Sequence, residues 1–238
     1  MTAARRKRGF LLVLCVLAAL LFGALGVWQV ERRAWKLDLI ERVDARIHAQ
    51  PQPVPPPASW GSLDAQEVEY RRVRATGVFL HDRETLVDAL TELGPGSWVL
   101  TPLRTAQGTI LVNRGFVPTD KRAPETRAAA QPSGEVTITG LLRLSEPKGR
   151  VLRPNQPAAD RWFSRDVEAI ARARELSEVA PFFIDAGSTP NPGGAPIGGL
   201  TVVRFRNTHL IYALTWFGLA GLALAGVVLL LKPAHKPD

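Results

Sequence analysis

Residues 10–30 read FLLVLCVLAALLFGALGVWQV, and residues 210–231 read LIYALTWFGLAGLALAGVVLLL; neither run holds a charged side chain. A helix needs roughly 20 mostly apolar residues to cross the hydrocarbon core of a bilayer. Both runs meet that length, and nothing between them does. They imply two transmembrane helices flanking roughly 180 residues of mixed character, enough for one domain with its own core.

Charge sets the expected orientation. Arg5, Arg6, Lys7 and Arg8 precede the first run, and Lys232 and Lys236 follow the second. Short flanks rich in Lys and Arg stay cytoplasmic, whereas long loops translocate largely regardless of charge. The expected division is a cytoplasmic N-terminus (1–8), transmembrane helix 1 (9–30), a periplasmic domain (31–208), transmembrane helix 2 (209–231) and a cytoplasmic tail (232–238). A bacterial cytoplasmic (inner) membrane, crossed twice with both termini inside, fits this plan. Ala24-Leu25-Gly26 looks like a signal-peptidase site, but the apolar run exceeds the roughly 7–15 residues of a signal core, which favours an uncleaved anchor. In the first run Ala19, Gly23 and Gly26 fall on one face, and Gly221 and Ala225 form a similar pair in the second. Such spacings let helix backbones approach in lipid.

Composition excludes several classes. The net charge of +8 comes from 30 Lys+Arg against 22 Asp+Glu. The basic residues are scattered, which argues against nucleic acid and for a lipid surface or an anionic ligand. The single cysteine, Cys15, sits inside the first apolar run. With no second thiol there is no intrachain disulfide, no CxxC for redox work or copper transfer, and no CxxCH for covalent haem. There is no G-x-S-x-G, P-loop or H-E-x-x-H. His81-Asp82 and Glu84 stand without a nucleophile or ligand cluster, so the chain reads as a non-enzyme.

The middle segment begins as a continuation of the first helix through residue 48. The Pro-rich stretch 51–57 should end it as an extended linker. Residues 70–79 (YRRVRATGVF) alternate as a strand. Residues 97–104 and 109–117 are two apolar runs joined by Thr105-Ala106-Gln107-Gly108, a hairpin signal. Residues 135–144 (EVTITGLLRL) form another strand, 166–176 a helix, and 182–185 a short strand. Residues 187–199 are a Gly/Pro-rich loop, and 201–206 a last strand leading into the second span. The expected fold class is α+β: one extracytoplasmic domain with a mostly antiparallel sheet or small β-barrel and one or two helices.

Three strings carry a family resemblance. Gly26-Val27-Trp28-Gln29-Val30-Glu31-Arg32-Arg33-Ala34-Trp35-Lys36 lies at the exit of the first span. Val112-Asn113-Arg114-Gly115-Phe116-Val117-Pro118 lies mid-domain, and Arg206-Asn207-Thr208-His209-Leu210-Ile211-Tyr212-Ala213-Leu214-Thr215-Trp216-Phe217 enters the second span. In this order about two spans they resemble the surfeit-locus family of cytochrome c oxidase assembly factors. Phe116 stands where the family commonly has tryptophan, and Thr208 where it commonly has asparagine. The resemblance implies a part in inserting haem a into cytochrome c oxidase subunit I, with subunit I and haem a synthase as partners. It also implies His209 as the haem ligand.

Read from chemistry alone, His209 is either a member of an interfacial aromatic belt or a metal ligand. Tyr212 and Trp216 follow it at i+3 and i+7, a spacing that places them on its face. Arg204 and Arg206 alternate just before it, near Arg32, Arg33 and Lys36; these cations would meet either haem propionates or phospholipid headgroups. Trp28 and Gln29 either anchor the first helix or contact haem or the oxidase. Asn113-Arg114-Gly115 reads as structural. Two other functions stay open at this point: a scaffold for an oxidase intermediate that binds no haem, and a membrane-anchored extracytoplasmic enzyme or solute-binding domain.

Overall fold

The computed structural model describes residues 3–201, 203, 205 and 207–232. The chain divides into two compact units, Val43–Val203 and a pairing of Met1–Arg42 with Arg204–Asp238.

In the second of these, α1 (Ala3–His48) is a 46-residue helix and α4 (His209–Leu231) a 23-residue one. Both are long and apolar enough to cross a membrane. The helix continues without a break from the apolar run of α1 into its charged stretch. It stops ahead of Pro51, because a proline disfavours helical geometry in the residue before it.

The other unit is a barrel with trimmings. Its strands are β1 (Gln52–Pro53), β2 (Arg72–Phe79), β3 (Thr85–Thr91), β4 (Gly94–Thr105), β5 (Gly108–Pro118), β6 (Glu135–Leu144) and β7 (Val179–Ala186). The sheet order is β1-β2-β6-β7-β5-β4-β3, and β2 pairs again with β4. That extra pairing, Val78 with Arg104 and Phe79 with Leu103, closes β2, β6, β7, β5 and β4 into a five-stranded ring. Neighbours are antiparallel except β5–β7 and β1–β2. Two short helices, α2 (Ala65–Val68) and α3 (Val167–Ala173), complete the unit.

Burial explains why the central strands read as unbroken apolar runs. Val73, Leu103, Ile110, Val112, Leu142, Phe182 and Ile184 fill one cluster. Leu111 and Phe183 point the other way and join Val87, Leu100, Trp162, Val167 and Ile170 in a second. A strand covered on both faces needs apolar residues at successive positions, and β5 is buried from Thr109 to Val117.

Three expectations are corrected. The linker over 51–57 is partly a strand: Gln52 and Pro53 lie beside Val73 and Arg74 at the edge of the sheet. Strand β3 is an additional one. No strand forms over 201–206 at its described residues, Thr201, Val203 and Phe205. Both edges of β7 are already taken by β5 and β6, and Thr201 instead donates its hydroxyl to Asp185 at 3.0 Å. Arg204 and Arg206 lie outside the described residues.

Candidate functional site at the ends of the apolar helices

His209 is the first residue of α4, and Gln29 is the penultimate residue of the charge-free run in α1. Their side chains meet: Gln29 Oε1 lies 2.7 Å from His209 Nδ1. Gln29 is buried, whereas His209 is half-buried. An amide oxygen only accepts, so Nδ1 is the donor in this pair. Among the described residues Nε2 has no hydrogen-bond partner. Asn207 Oδ1, two positions earlier, is buried and likewise has none among them.

Packing below this pair holds the helices together. The aromatic ring of Phe217 lies against Gly26, where an added Cβ would come within 2.5–2.8 Å of it. Two turns below the polar pair, roughly 10 Å along the axes, Phe22 and Trp216 stack at 5.6 Å with 22° between planes. Ala213 and Ala220 are buried on the same stripe of α4. At the other end Arg8 donates to the Leu230 and Lys232 carbonyls, both at 2.6 Å. Those carbonyls are acceptors left open by the helix end, and a cation there also suits the helix dipole.

The structure sorts the remaining sequence candidates. Trp216 is on the His209 stripe. Tyr212 is not: it is 54% exposed, while its neighbour Ala213 is buried. Trp28 is 52% exposed beside buried Gln29. Arg32 stacks on Trp35 at 4.0 Å and Lys36 on Phe205 at 4.8 Å, so both cations sit over aromatic rings. Of the glycines in the small-residue stripes only Gly26 makes a close approach; Gly23 and Gly221 face open space, Ala19 is half-buried and Ala225 is exposed.

The barrel unit holds two buried charge clusters that the sequence reading passed over. Asp185 on β7 is 2% exposed. It accepts from Asn113 Nδ2 at 2.7 Å, Arg143 Nη1 at 3.0 Å, Arg165 Nη1 at 3.0 Å and Thr201 Oγ1. Arg165 also grips Glu146, Nε to Oε2 at 3.1 Å and Nη2 to Oε1 at 2.5 Å. Burial pushes the Glu146 carboxyl up, but the Arg165 hydrogen bonds and charge outweigh it and hold the group below the usual carboxylate range. Burial also opposes the charge on Arg165, yet Asp185 and Glu146 raise its pKa above the ordinary guanidinium value.

In the second cluster Arg127 forks onto both oxygens of Glu84, with both side chains buried. Nearby Arg114 donates to the Ala130 carbonyl and, at 2.9 Å, to Asn191. It lies over the Phe79 ring at 4.9 Å. Its burial lowers its pKa to about 10, which leaves it charged at neutral pH. The string Asn113-Arg114-Gly115 is thereby accounted for as structure. Asn113 holds Asp185, Arg114 ties down two loops, and Gly115 adopts φ +130° against the Ile197 carbonyl, where no Cβ fits.

A cleft of about 470 Å³ opens over this second cluster, lined by His81, Asp82, Glu84, Arg122, Asp160 and Arg174 among others. Two of its carboxylates are already engaged: buried Glu84 by Arg127, and exposed Asp160 by Arg174 at 2.7 Å. Burial lowers the His81 imidazole pKa, opposed by its bond to the Pro132 carbonyl. No group of three or more His, Cys, Asp or Glu placed to hold a metal ion exists among the described residues.

Comparison with known proteins follows the same strings. The profile of the SURF1 family matches residues 16–221, a span that contains both Gln29 and His209. Surfeit locus protein 1 of Homo sapiens is 41% identical over 226 residues, covering 87% of this chain and 73% of the human protein. The protein of that name from Takifugu rubripes is 37% identical over 225 residues, covering 87% and 90%. A SURF1-like protein of Monosiga brevicollis is 36% identical over 238 aligned residues, covering 94% and 88%.

Proposed function

The chain belongs to the SURF1 family, and we propose that it is a membrane assembly factor for haem–copper cytochrome c oxidase, one that receives haem a and presents it to subunit I. The observation that carries this reading is the held imidazole at one end of the two apolar helices, 2.7 Å from Gln29. A histidine at membrane depth is costly unless it is paired or used. Here one ring nitrogen is paired and the other has no hydrogen-bond partner among the described residues.

Haem a is cargo in this reading, and its iron offers an axial position to one imidazole nitrogen. His209 supplies that nitrogen. The Phe22–Trp216 stack gives the helix pair a flat apolar wall below it. Arg32 and Lys36 place positive charge just beyond the charge-free run of α1, suited to propionates. No covalent bond is made or broken, so the role is that of a chaperone and not of an enzyme. The barrel, outside the cytoplasmic membrane, docks the partners; haem a synthase is the natural donor and subunit I the acceptor.

The test is an absorption spectrum of the full chain purified from cells that make haem a, beside His209→Ala. The reading expects near-stoichiometric haem in the parent protein and its loss in the variant. A coloured variant would assign the iron to another ligand. A colourless parent whose deletion still lowers oxidase activity would leave a scaffold that never touches haem.

A further inference from the structure

We infer that Gln29 is a positioning residue: it accepts the Nδ1 proton of His209 and thereby fixes the imidazole as the tautomer whose Nε2 is free to ligate iron. The inference rests on the reading of His209 as a haem ligand and adds what makes that histidine competent. It also replaces the expectation that Gln29 itself touches haem.

The argument starts from the two faces of the ring. Neutral histidine has one N–H and one lone pair, and in water the proton prefers Nε2. A histidine left to itself would present mostly an N–H at the nitrogen farther from the backbone. Gln29 Oε1 at 2.7 Å from Nδ1 reverses that preference, because an amide oxygen accepts and never donates. The bond is well placed to do so. Gln29 is only 8% exposed, and water competes poorly for a buried acceptor. A lost partner would leave that oxygen desolvated and unpaired. Ligating histidines commonly give their other N–H to an oxygen acceptor, which fixes ring orientation and raises basicity.

The geometry also explains why the acceptor comes from the other helix. His209 is the first residue of α4, where a side chain has little preceding helix to pack on. Gln29 reaches it from α1, and the Gly26–Phe217 contact one turn away holds the two helices close. Ring orientation is therefore tied to helix pairing. Any motion that separates the spans would release the ring and weaken its hold on a bound haem.

The decisive experiment does not need haem. The full chain, labelled with ¹⁵N-histidine and held in lipid nanodiscs, reports the tautomer of His209 from its two ring-nitrogen shifts, assigned by loss in His209→Ala. The parent protein should show Nδ1 protonated and Nε2 bare. Gln29→Leu should move the proton toward Nε2, and Gln29→Glu, which keeps an acceptor, should not. On haem a titration Gln29→Leu should bind roughly 10- to 100-fold more weakly, the cost typical of removing such a partner. In Gln29→Glu the ferrous iron–histidine stretch should shift upward as the ligand becomes more basic. A parent His209 with Nε2 protonated overturns the inference, as does haem binding in Gln29→Leu equal to that of the parent. A parent protein that binds no haem overturns the underlying reading instead, so the two failures are distinguishable.

Discussion

At the residue scale the domain turns on Asp185. Four side chains donate to one carboxylate that water barely reaches, and two of them are arginines. Removing one partner of a buried ion pair leaves an uncompensated charge, a loss of about 3–5 kcal/mol. Asp185→Asn keeps the shape and removes the charge, so it should lower the stability of the full chain by about that much in a denaturant titration of the detergent-solubilised protein. Arg172→Ala breaks only an exposed i,i+4 pair with Glu168 and should stay within about 0.5 kcal/mol. Glu146 adds a pH dependence. Its folded-state pKa is below its unfolded value, so as pH falls the unfolded chain takes up the proton first. The stability it contributes is present above about pH 4.5 and is lost as pH drops through its folded-state pKa. Unfolding midpoints measured from about pH 4.5 downward should fall, and should fall less in Glu146→Gln. None of this was legible beforehand. Asp185 was visible as the end of a short strand, but its arginines sit 42 and 20 residues away, and the barrel brings them together.

At the element scale the two apolar helices, the hairpin around Thr105–Gly108 and the strand over 135–144 were all readable from the chain, because each has a local signal: length, a turn, a period. Strand β3 had none. Its buried residues are Thr85, Val87 and Ala89, while Leu86 and Leu90 lie on the opposite face, Leu86 packed against the Val99–Val117–Ala195 cluster and Leu90 77% exposed. The larger apolar side chains lie on the wrong face for an alternation argument, so its partner β4 defines it. Helix pairing was likewise only half readable. Small residues marked five positions worth testing, and of the three glycines among them side-chain size across the gap decided that Gly26 makes the close approach. One contact offers a direct check. A Cβ built on Gly226 would lie 3.2 Å from Cys15 Sγ, close to the roughly 3 Å between one sulfur and the far Cβ in a disulfide. Gly226→Cys should therefore cross-link to Cys15 under mild oxidation, with both thiols lost from a free-thiol count. Adding Gly26→Leu, which overpacks the helix contact at a cost of about 1–3 kcal/mol, should slow that cross-link severalfold. A Gly226→Cys protein that keeps two free thiols would mean that the helices do not pair in this register.

At the scale of the whole molecule, the proposed function requires the His209–Gln29 pair to face the side where oxidase subunit I presents its haem pocket, so orientation is part of the mechanism. The proposed orientation rests on the charges flanking the two apolar runs. Arg5, Arg6, Lys7 and Arg8 abut the first apolar run, whereas the tail past residue 231 carries Lys232 and Lys236. Both flanks are short, and short basic flanks resist translocation. The two constraints agree, since two spans return the chain to the side it left. The barrel's own charge has little say. This predicts a simple labelling pattern. In a Cys15→Ser background, a single cysteine at Leu152, which is 96% exposed, should react in intact cells with a membrane-impermeant maleimide that passes the outer envelope. Single cysteines at Ala3 and Ala234 should react only after the membrane is opened. Labelling at Ala3 in intact cells, with Leu152 protected, would invert the molecule. It would put the imidazole on the cytoplasmic side, and the assignment of His209 as the hand-over point would fail however well it binds haem.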